Sequence, residues 1–471
     1  MRLDGWLLRV PSVLTLAFAL AAITPARAAE DRDVHVVKSP QAKRIAEFLD
    51  HCESTGFTGA VLAARGGEVV IARGVGCADL EGKVPNTART LFEIASATKQ
   101  FTGAAILKLV EAKKLKLDDS IAMHLPNIPD DCKKITVRHL LQHTSGIPGT
   151  NAEGSGDDLV ALIPGFLRGG PRHEPGTHWE YWNQGYSLLA GIIERASGKR
   201  YGEFCKEQLF APSGMGVTMF TGDSAPGKLT VSTGRSMHGA PRRALEHPYG
   251  NFGYQYRGMG GAVTNVWDLW RWDRALRGEK VLGKAAKEEY FKPGLNSYAL
   301  GWEVKQTQGG RQAIEHGGSV RGFLCNVRRL PNDDGCVFVL CNGDDIFPHL
   351  ITDSLEALLF GGALPIKEPP AVLKPEQLNA LVGKYATKSG EPLVIVAQGR
   401  AARVTIGKPA SPQSGVPDKN GGRAGSIGVA ENGDLVFYEW RKITAIKLTR
   451  AAKGPVRGIT IHDQEFIRQG P

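Results

Sequence analysis

Residues 91–103 read Leu-Phe-Glu-Ile-Ala-Ser-Ala-Thr-Lys-Gln-Phe-Thr-Gly, and Ser96-Ala97-Thr98-Lys99 within them is an S-x-x-K. Ser96 opens a stretch in which Ala104, Leu107, Leu109, Val110 and Leu115 recur near helical spacing, with Lys108, Glu111, Lys113 and Lys114 mainly on the other side. On a helix, residues three apart are neighbours on one face, so Lys99 can place its amine against the Ser96 hydroxyl. An unassisted serine is a poor nucleophile and needs a base beside it. A lysine tuned towards a pKa of ~7–8 can take or relay that proton. The helix start also offers free N–H groups and positive potential near Ser96. The motif by itself is weak, because serine and lysine are common, but it occurs once in this chain.

Two further patterns follow it. Tyr181-Trp182-Asn183 is a Y-x-N. A phenol near Ser96 can act as base towards the nucleophile and acid towards the leaving group, if nearby positive charge from Lys99 lowers its pKa from ~10. Asn183 can orient Lys99 and a substrate amide. Tyr249-Gly250-Asn251 is a competing match, and Tyr181 is preferred for its surroundings. His316-Gly317-Gly318 follows the strand-like run 311–315. Its glycines let a carbonyl approach the strand, and the Ser319 N–H can join that of Ser96 as an oxyanion hole. By itself a histidine is more often structural.

The order S-x-x-K, Y-x-N, H-x-G is that of the serine β-lactamase and penicillin-binding-protein superfamily. Four blocks, LFEIASATKQFTG (91–103), LLQHTSGIP (140–148), YWNQGYSLLAGIIERASG (181–198) and HGGSVRGF (316–323), resemble the class C β-lactamase-related family, which includes D,D-carboxypeptidases, D-aminopeptidases and carboxylesterases. The resemblance covers about residues 35–360. It implies an α+β fold, a β-lactamase/transpeptidase-like antiparallel sheet flanked by helices with a helical cluster beside it. It implies Ser96 as nucleophile, Lys99 as its proton partner, Tyr181 as general base and acid, and Asn183 as a positioning residue. His316 and Gly318 fall on the edge strand of the third motif. True class C β-lactamases have Lys-Thr-Gly or Lys-Ser-Gly there. His316-Gly317 supplies neither the ammonium nor the hydroxyl that bind a β-lactam carboxylate, so ester or peptide substrates rank above β-lactams.

The rest of the 471-residue chain frames that reading. Arg2 and Arg9, the apolar run Val10–Ile23 and Ala26-Arg27-Ala28 form the three parts of a secretory signal peptide over 1–28. The alternative, a membrane anchor, would need roughly 18–20 apolar residues. The expected location is periplasmic or extracellular. Without the signal's three arginines and one aspartate, the formal charge of +10 becomes about +8. No basic block is interleaved with aromatics, which argues against nucleic-acid binding. No metal-ligand spacing appears, and no cofactor is expected; the partner is a small-molecule or peptide substrate. Residues 29–362 read as the hydrolase domain and 363–372 as a linker with Pro365, Pro369 and Pro370. Residues 373–471 read as a small β-rich domain with a mobile Pro/Ser/Gly-rich loop at 407–426. Trp267, Trp270 and Trp272 follow an N-cap-type Thr264 and read as a packed face rather than a ligand platform. Of seven cysteines, Cys325 can bridge Cys336 or Cys341 across the turn 331–335, or all can be buried thiols. The expected function is a cofactor-free exported acyl-transfer hydrolase. Its rival is a non-catalytic envelope binding or scaffold protein, which the presence of Ser96, Lys99 and Tyr181 together disfavours.

Overall fold

The computed structural model describes residues 34–150, 155–236, 239–250, 252–344, 347–398, 401–407, 423–439, 442–450 and 456–470. The signal-peptide expectation at 1–28 lies outside them. A seven-stranded antiparallel sheet forms the frame. Its strands are β1 (His35–Val36), β2 (Gly59–Arg65), β3 (Glu68–Val75), β4 (Glu303–Gln306), β5 (Gln312–Val320), β6 (Phe323–Leu330) and β7 (Gly335–Cys341), in the order β1-β3-β2-β7-β6-β5-β4. The termini of the domain thus meet in mid-sheet, where β2 pairs with β7.

The central strands are apolar on both faces because both faces are covered. Ala60, Leu62 and Phe338 belong to one core cluster; Val61, Val337 and Val339, one residue out of phase, belong to another. The second cluster is closed by α1 (Pro40–Cys52) and by the helix Pro348–Leu359. The first is closed by the helices α2 (Lys99–Glu111), α3 (Asn183–Ser197) and α4 (Val266–Arg277). This is an α+β fold, an antiparallel sheet flanked by helices with a helical cluster beside it. Helix α2 is buried at every residue from Lys99 to Leu107, so it is a core helix rather than an amphipathic surface one. Trp267, Trp270 and Trp272 are buried in α4, and Trp272 donates to Gln100 Oε1 at 2.9 Å; the stripe is core. The N-cap of α4 is Asn265, whose side chain accepts from the Asp268 N–H, not Thr264.

All seven cysteines are free. The register explains why neither candidate bridge forms. Cys325 pairs with Leu340, and Cys336 lies opposite Arg329, four residues along β6, while Cys341 lies opposite Leu324 and so points to the other face.

The C-terminal residues form a nine-stranded antiparallel sheet whose edge strands, Ile443–Ala445 and Lys447–Arg450, are separated by Ile446 alone, so that it curls into a near-barrel. Leu393, Val404, Ile406, Phe437, Ile459 and Phe466 fill it. The loop expected at 407–426 is corrected at its end, where Arg423–Val429 is a strand paired with Ala401–Ile406 and Leu435–Tyr438; residues 408–422 lie outside the described ones. The barrel docks on the face of the main sheet that carries α1. Arg403 donates to the Thr55 carbonyl, Ser54 donates to the Pro370 carbonyl, and Tyr438 joins the α1 core cluster. Ser96 lies on the opposite face, in the cluster of α2.

Candidate active site

Ser96 sits in a single 3-10 turn, Ala95–Thr98, that runs into α2. In that geometry residues i and i+3 eclipse, which brings Lys99 Nζ to 3.2 Å from Ser96 Oγ. Ala95, just before the serine, has φ of +44°, a left-handed conformation that costs a non-glycine residue energy and turns the next side chain out of the core. Of residues 91–100, Ser96 alone is not buried.

Lys99 is fully buried and donates to three neutral acceptors: Ser96 Oγ, Asn183 Oδ1 at 2.8 Å and the Met259 carbonyl at 3.0 Å. Burial, with no carboxylate bearing on it, pushes its pKa well below 10.5. Asn183 is the first residue of α3, so the helix start aims its amide at the lysine. Tyr181, two residues earlier, faces Ser96, and Lys99 Nζ lies 4.9 Å from its ring centre. Burial raises the phenol's pKa above 10, the nearby Ser96 hydroxyl pulls it partly back, and Glu303 adds to the rise. The expectation that Lys99 would draw the phenol down is therefore corrected. The lysine is the group driven towards neutrality, and the tyrosine holds its proton. The competing Tyr249 is 61% exposed, packed on His247 and Tyr256, and Asn251 lies outside the described residues.

Strand β5 closes the other side. β4 pairs with it only over Gln312–Glu315, so its edge from His316 to Val320 has no strand partner there. Gly318 lies against the residues before the serine, where an added Cβ would stand 2.2 Å from Ile94 O. His316 is buried, with Nδ1 at 2.5 Å from the Gly317 carbonyl and Nε2 at 2.9 Å from Tyr298 Oη. A carbonyl only accepts, so Nδ1 carries the proton and Nε2 accepts from the tyrosine. Burial, then the Lys99 charge, pushes its pKa down to about 4. The unfolded histidine takes its proton near pH 6.5 and the folded one only near 4, so folding stability is full above 6.5 and falls as pH drops through that window. The loss of Tm between pH 7 and 5 is expected to be smaller in His316→Gln than in the wild type, as read by thermal unfolding.

The structure brings together Ser96, Lys99, Tyr181, Asn183, His316 and Gly318 from three separate segments, with Ser319 next along β5. Sequence reasoning missed Met259, Tyr298, His143 and the buried group Glu93–Arg242–Tyr256 three residues before Ser96. Glu93 accepts from both Arg242 and Tyr256. His143 stood inside a quoted block but carried no assigned part. Met259 contributes only its carbonyl, for which no side-chain signal exists. No group of three or more His, Cys, Asp or Glu able to hold a metal ion occurs among the described residues.

The Beta-lactamase family model matches residues 42–359. The chain belongs to the Beta-lactamase family. It is a serine hydrolase of that family. Penicillin-binding protein 4* of Bacillus subtilis (strain 168) is 30% identical over 377 residues, 74% of this chain and 82% of that one. The octameric penicillin-binding protein homologue from Pyrococcus abyssi superposes with a TM-score of 0.59 at 24% identity, covering 90% of this chain and 99% of that one. D-amino acid amidase from Ochrobactrum anthropi SV3 gives 0.57 at 23% identity, with 68% and 97% covered. These two likenesses carry the fold.

Proposed function

We propose that the chain is an exported hydrolase that forms an acyl–Ser96 intermediate from an ester or amide, D-amino-acid derivatives included. The observation that carries this is the buried Lys99 amine, without a counter-charge, on the hydroxyl of a partly exposed serine that follows the strained Ala95. Neutral Lys99 takes the Ser96 proton as Oγ bonds to the substrate carbonyl carbon. The Ser96 and Ser319 N–H groups hold the oxyanion. When the tetrahedral adduct collapses, the bond to the leaving group breaks. Tyr181, still protonated, gives that group its proton and is refilled from Lys99. Water then releases the acyl group. Asn183 keeps the lysine in place. Residues 29–362 carry this chemistry, with 363–372 linking them to the barrel at 373–471.

The substrate class follows from His316. Held neutral by burial, it offers no charge to a carboxylate next to the scissile bond. A charge-assisted hydrogen bond contributes about 1.5–3 kcal/mol, or roughly 10- to 100-fold. Esters and amides without that carboxylate are therefore favoured over β-lactams and free-acid peptides. The names of two similar proteins, a penicillin-binding protein and a D-amino acid amidase, agree with a peptide-like acyl group.

A fluorophosphonate incubated with the protein tests the reading. Mass spectrometry is expected to locate one adduct, on the peptide holding Ser96. A folded protein that takes no adduct would instead be the envelope binding or scaffold protein. With a matched pair of D-amino-acid substrates, the amide is expected to be cleaved at least about tenfold faster than the dipeptide acid; equal rates would overturn the part given to His316.

A further inference from the structure

His143 follows the short helix Val137–Leu141 and is 2% exposed. Its φ is +57°, which few non-glycine residues other than asparagine, aspartate and histidine adopt. It grips the segment that carries Tyr181 at three points. Its carbonyl accepts from the Glu180 N–H at 2.9 Å, and its Nδ1 accepts from the Trp182 N–H at 3.1 Å. Its ring lies on the Tyr181 phenol, with centres 4.2 Å apart and planes 38° from parallel. Tyr181 is thus held on both sides along the chain and across its ring face. The same grip fixes the start of α3, where Asn183 meets Lys99.

The protonation state shows what the histidine supplies. Nδ1 accepts, so Nε2 carries the proton, and that buried nitrogen has no hydrogen-bond partner among the described residues. A buried donor left unmade is a cost. Phenylalanine would fill the space without it. What phenylalanine cannot do is accept from the Trp182 N–H. The rings of Tyr181, Tyr186, Tyr298 and Trp179 surround the imidazole. Burial pushes its pKa well down, so it is a fixed neutral clamp and not a switch.

We propose that His143 is a positioning residue that holds the Tyr181 phenol against Ser96 through the Trp182 N–H bond and the ring contact. The proposal rests on the acyl-serine reading. It is tested on the full chain with His143→Phe, His143→Asn, His143→Ala and Tyr181→Phe, measuring kcat and KM for a p-nitrophenyl ester from pH 5 to 9, with thermal unfolding alongside. Asparagine tolerates the left-handed backbone and puts Oδ1 near the place of Nδ1, so it keeps the acceptor. Phenylalanine keeps only the ring, and alanine neither. In His143→Phe, kcat is expected to fall at least tenfold with KM within threefold, and the limbs of the pH profile to move. His143→Asn is expected to recover most of that loss. Should the phenylalanine variant not fold, asparagine against alanine makes the same comparison, with at least tenfold between them. Wild-type kcat and pH profile in His143→Phe, or equal losses in asparagine and alanine, would overturn the clamp while an inactive Tyr181→Phe left the tyrosine assignment standing. An active Tyr181→Phe would overturn the tyrosine assignment and the clamp with it.

Discussion

Ser96→Ala is expected to lower kcat/KM for a p-nitrophenyl ester by roughly 10⁴-fold or more, while the thermal midpoint stays within a few degrees. The two readouts separate because of where the hydroxyl sits. Ser96 is the one half-buried residue among the buried ones of 91–100, and its Oγ is only one of three acceptors for Lys99. Removing it leaves the lysine bonded to Asn183 and Met259, so the core loses little. The reaction loses its nucleophile entirely. Lys99→Met is expected to fall into the same range, since groups that act as a unit are not additive. In the wild type, kcat/KM is expected to rise with pH until Lys99 has lost its proton, at a pH well below 10.5, because the ammonium cannot accept from Ser96. Hydrolysis by Ser96→Ala equal to that of the wild type would end the assignment of Ser96, whatever the fold.

That these residues meet was legible because the family's chemistry is carried by side chains at fixed local spacings. Ser96 and Lys99 lie three apart on one turn, and Tyr181 and Asn183 sit two apart where a strand-like segment enters a helix. What was not legible is what surrounds them. Met259 reaches Lys99 with a backbone carbonyl from a glycine-rich loop 160 residues away in sequence, and no residue type encodes that. Tyr298 meets the second nitrogen of His316, yet it lies before β4 in a segment with no strand ladder of its own beyond one bridge to Glu303. The direction of the two central pKa shifts was also out of reach. It depends on burial all round α2, which the lysines at 108, 113 and 114 disguised.

The C-terminal sheet failed differently. Arg423–Val429 contains Gly425, inside the stretch read as loop, and Gly428 just beyond it. In the structure an added Cβ at Gly425 would lie 2.6 Å from the Phe437 ring, and one at Gly428 would lie 2.5 Å from Pro370. The glycines are there for room, not for bending, and ladder pairing on both sides overrides local propensity. The barrel's contacts through Arg403, Ser54 and Pro370 fall on the side of the main sheet away from Ser96.

Gly318→Ala tests the apposition on which the oxyanion hole depends. Gly318 lies in extended β5, so nothing in its backbone requires glycine; space does. An added Cβ would stand 2.2 Å from Ile94 O, 3.0 Å from Ile94 C and 2.7 Å from Cys325 Sγ. The Ile94 carbonyl cannot withdraw. It accepts from the Ala97 N–H at 3.0 Å and from the Cys325 thiol at 3.2 Å, and the Ile94 N–H is bonded to Ala262 O at 3.0 Å. The methyl group must therefore push β5 away from the turn that carries Ser96, and with it the Ser319 N–H. Overpacking of this kind costs about 1–3 kcal/mol of stability. The loss of one oxyanion donor costs about 2.7–4 kcal/mol in the transition state, a fall of roughly 10²–10³ in kcat. Gly317→Ala is the control for the fold, because the only atom its Cβ would approach is Cys325 O at 3.7 Å, an ordinary contact. Its unfolding free energy is expected to stay within about 1 kcal/mol of the wild type. If Gly318→Ala kept both wild-type kcat and wild-type stability, β5 and the Ser96 turn could not be packed backbone to backbone, and an oxyanion hole shared between Ser96 and Ser319 would have to be abandoned.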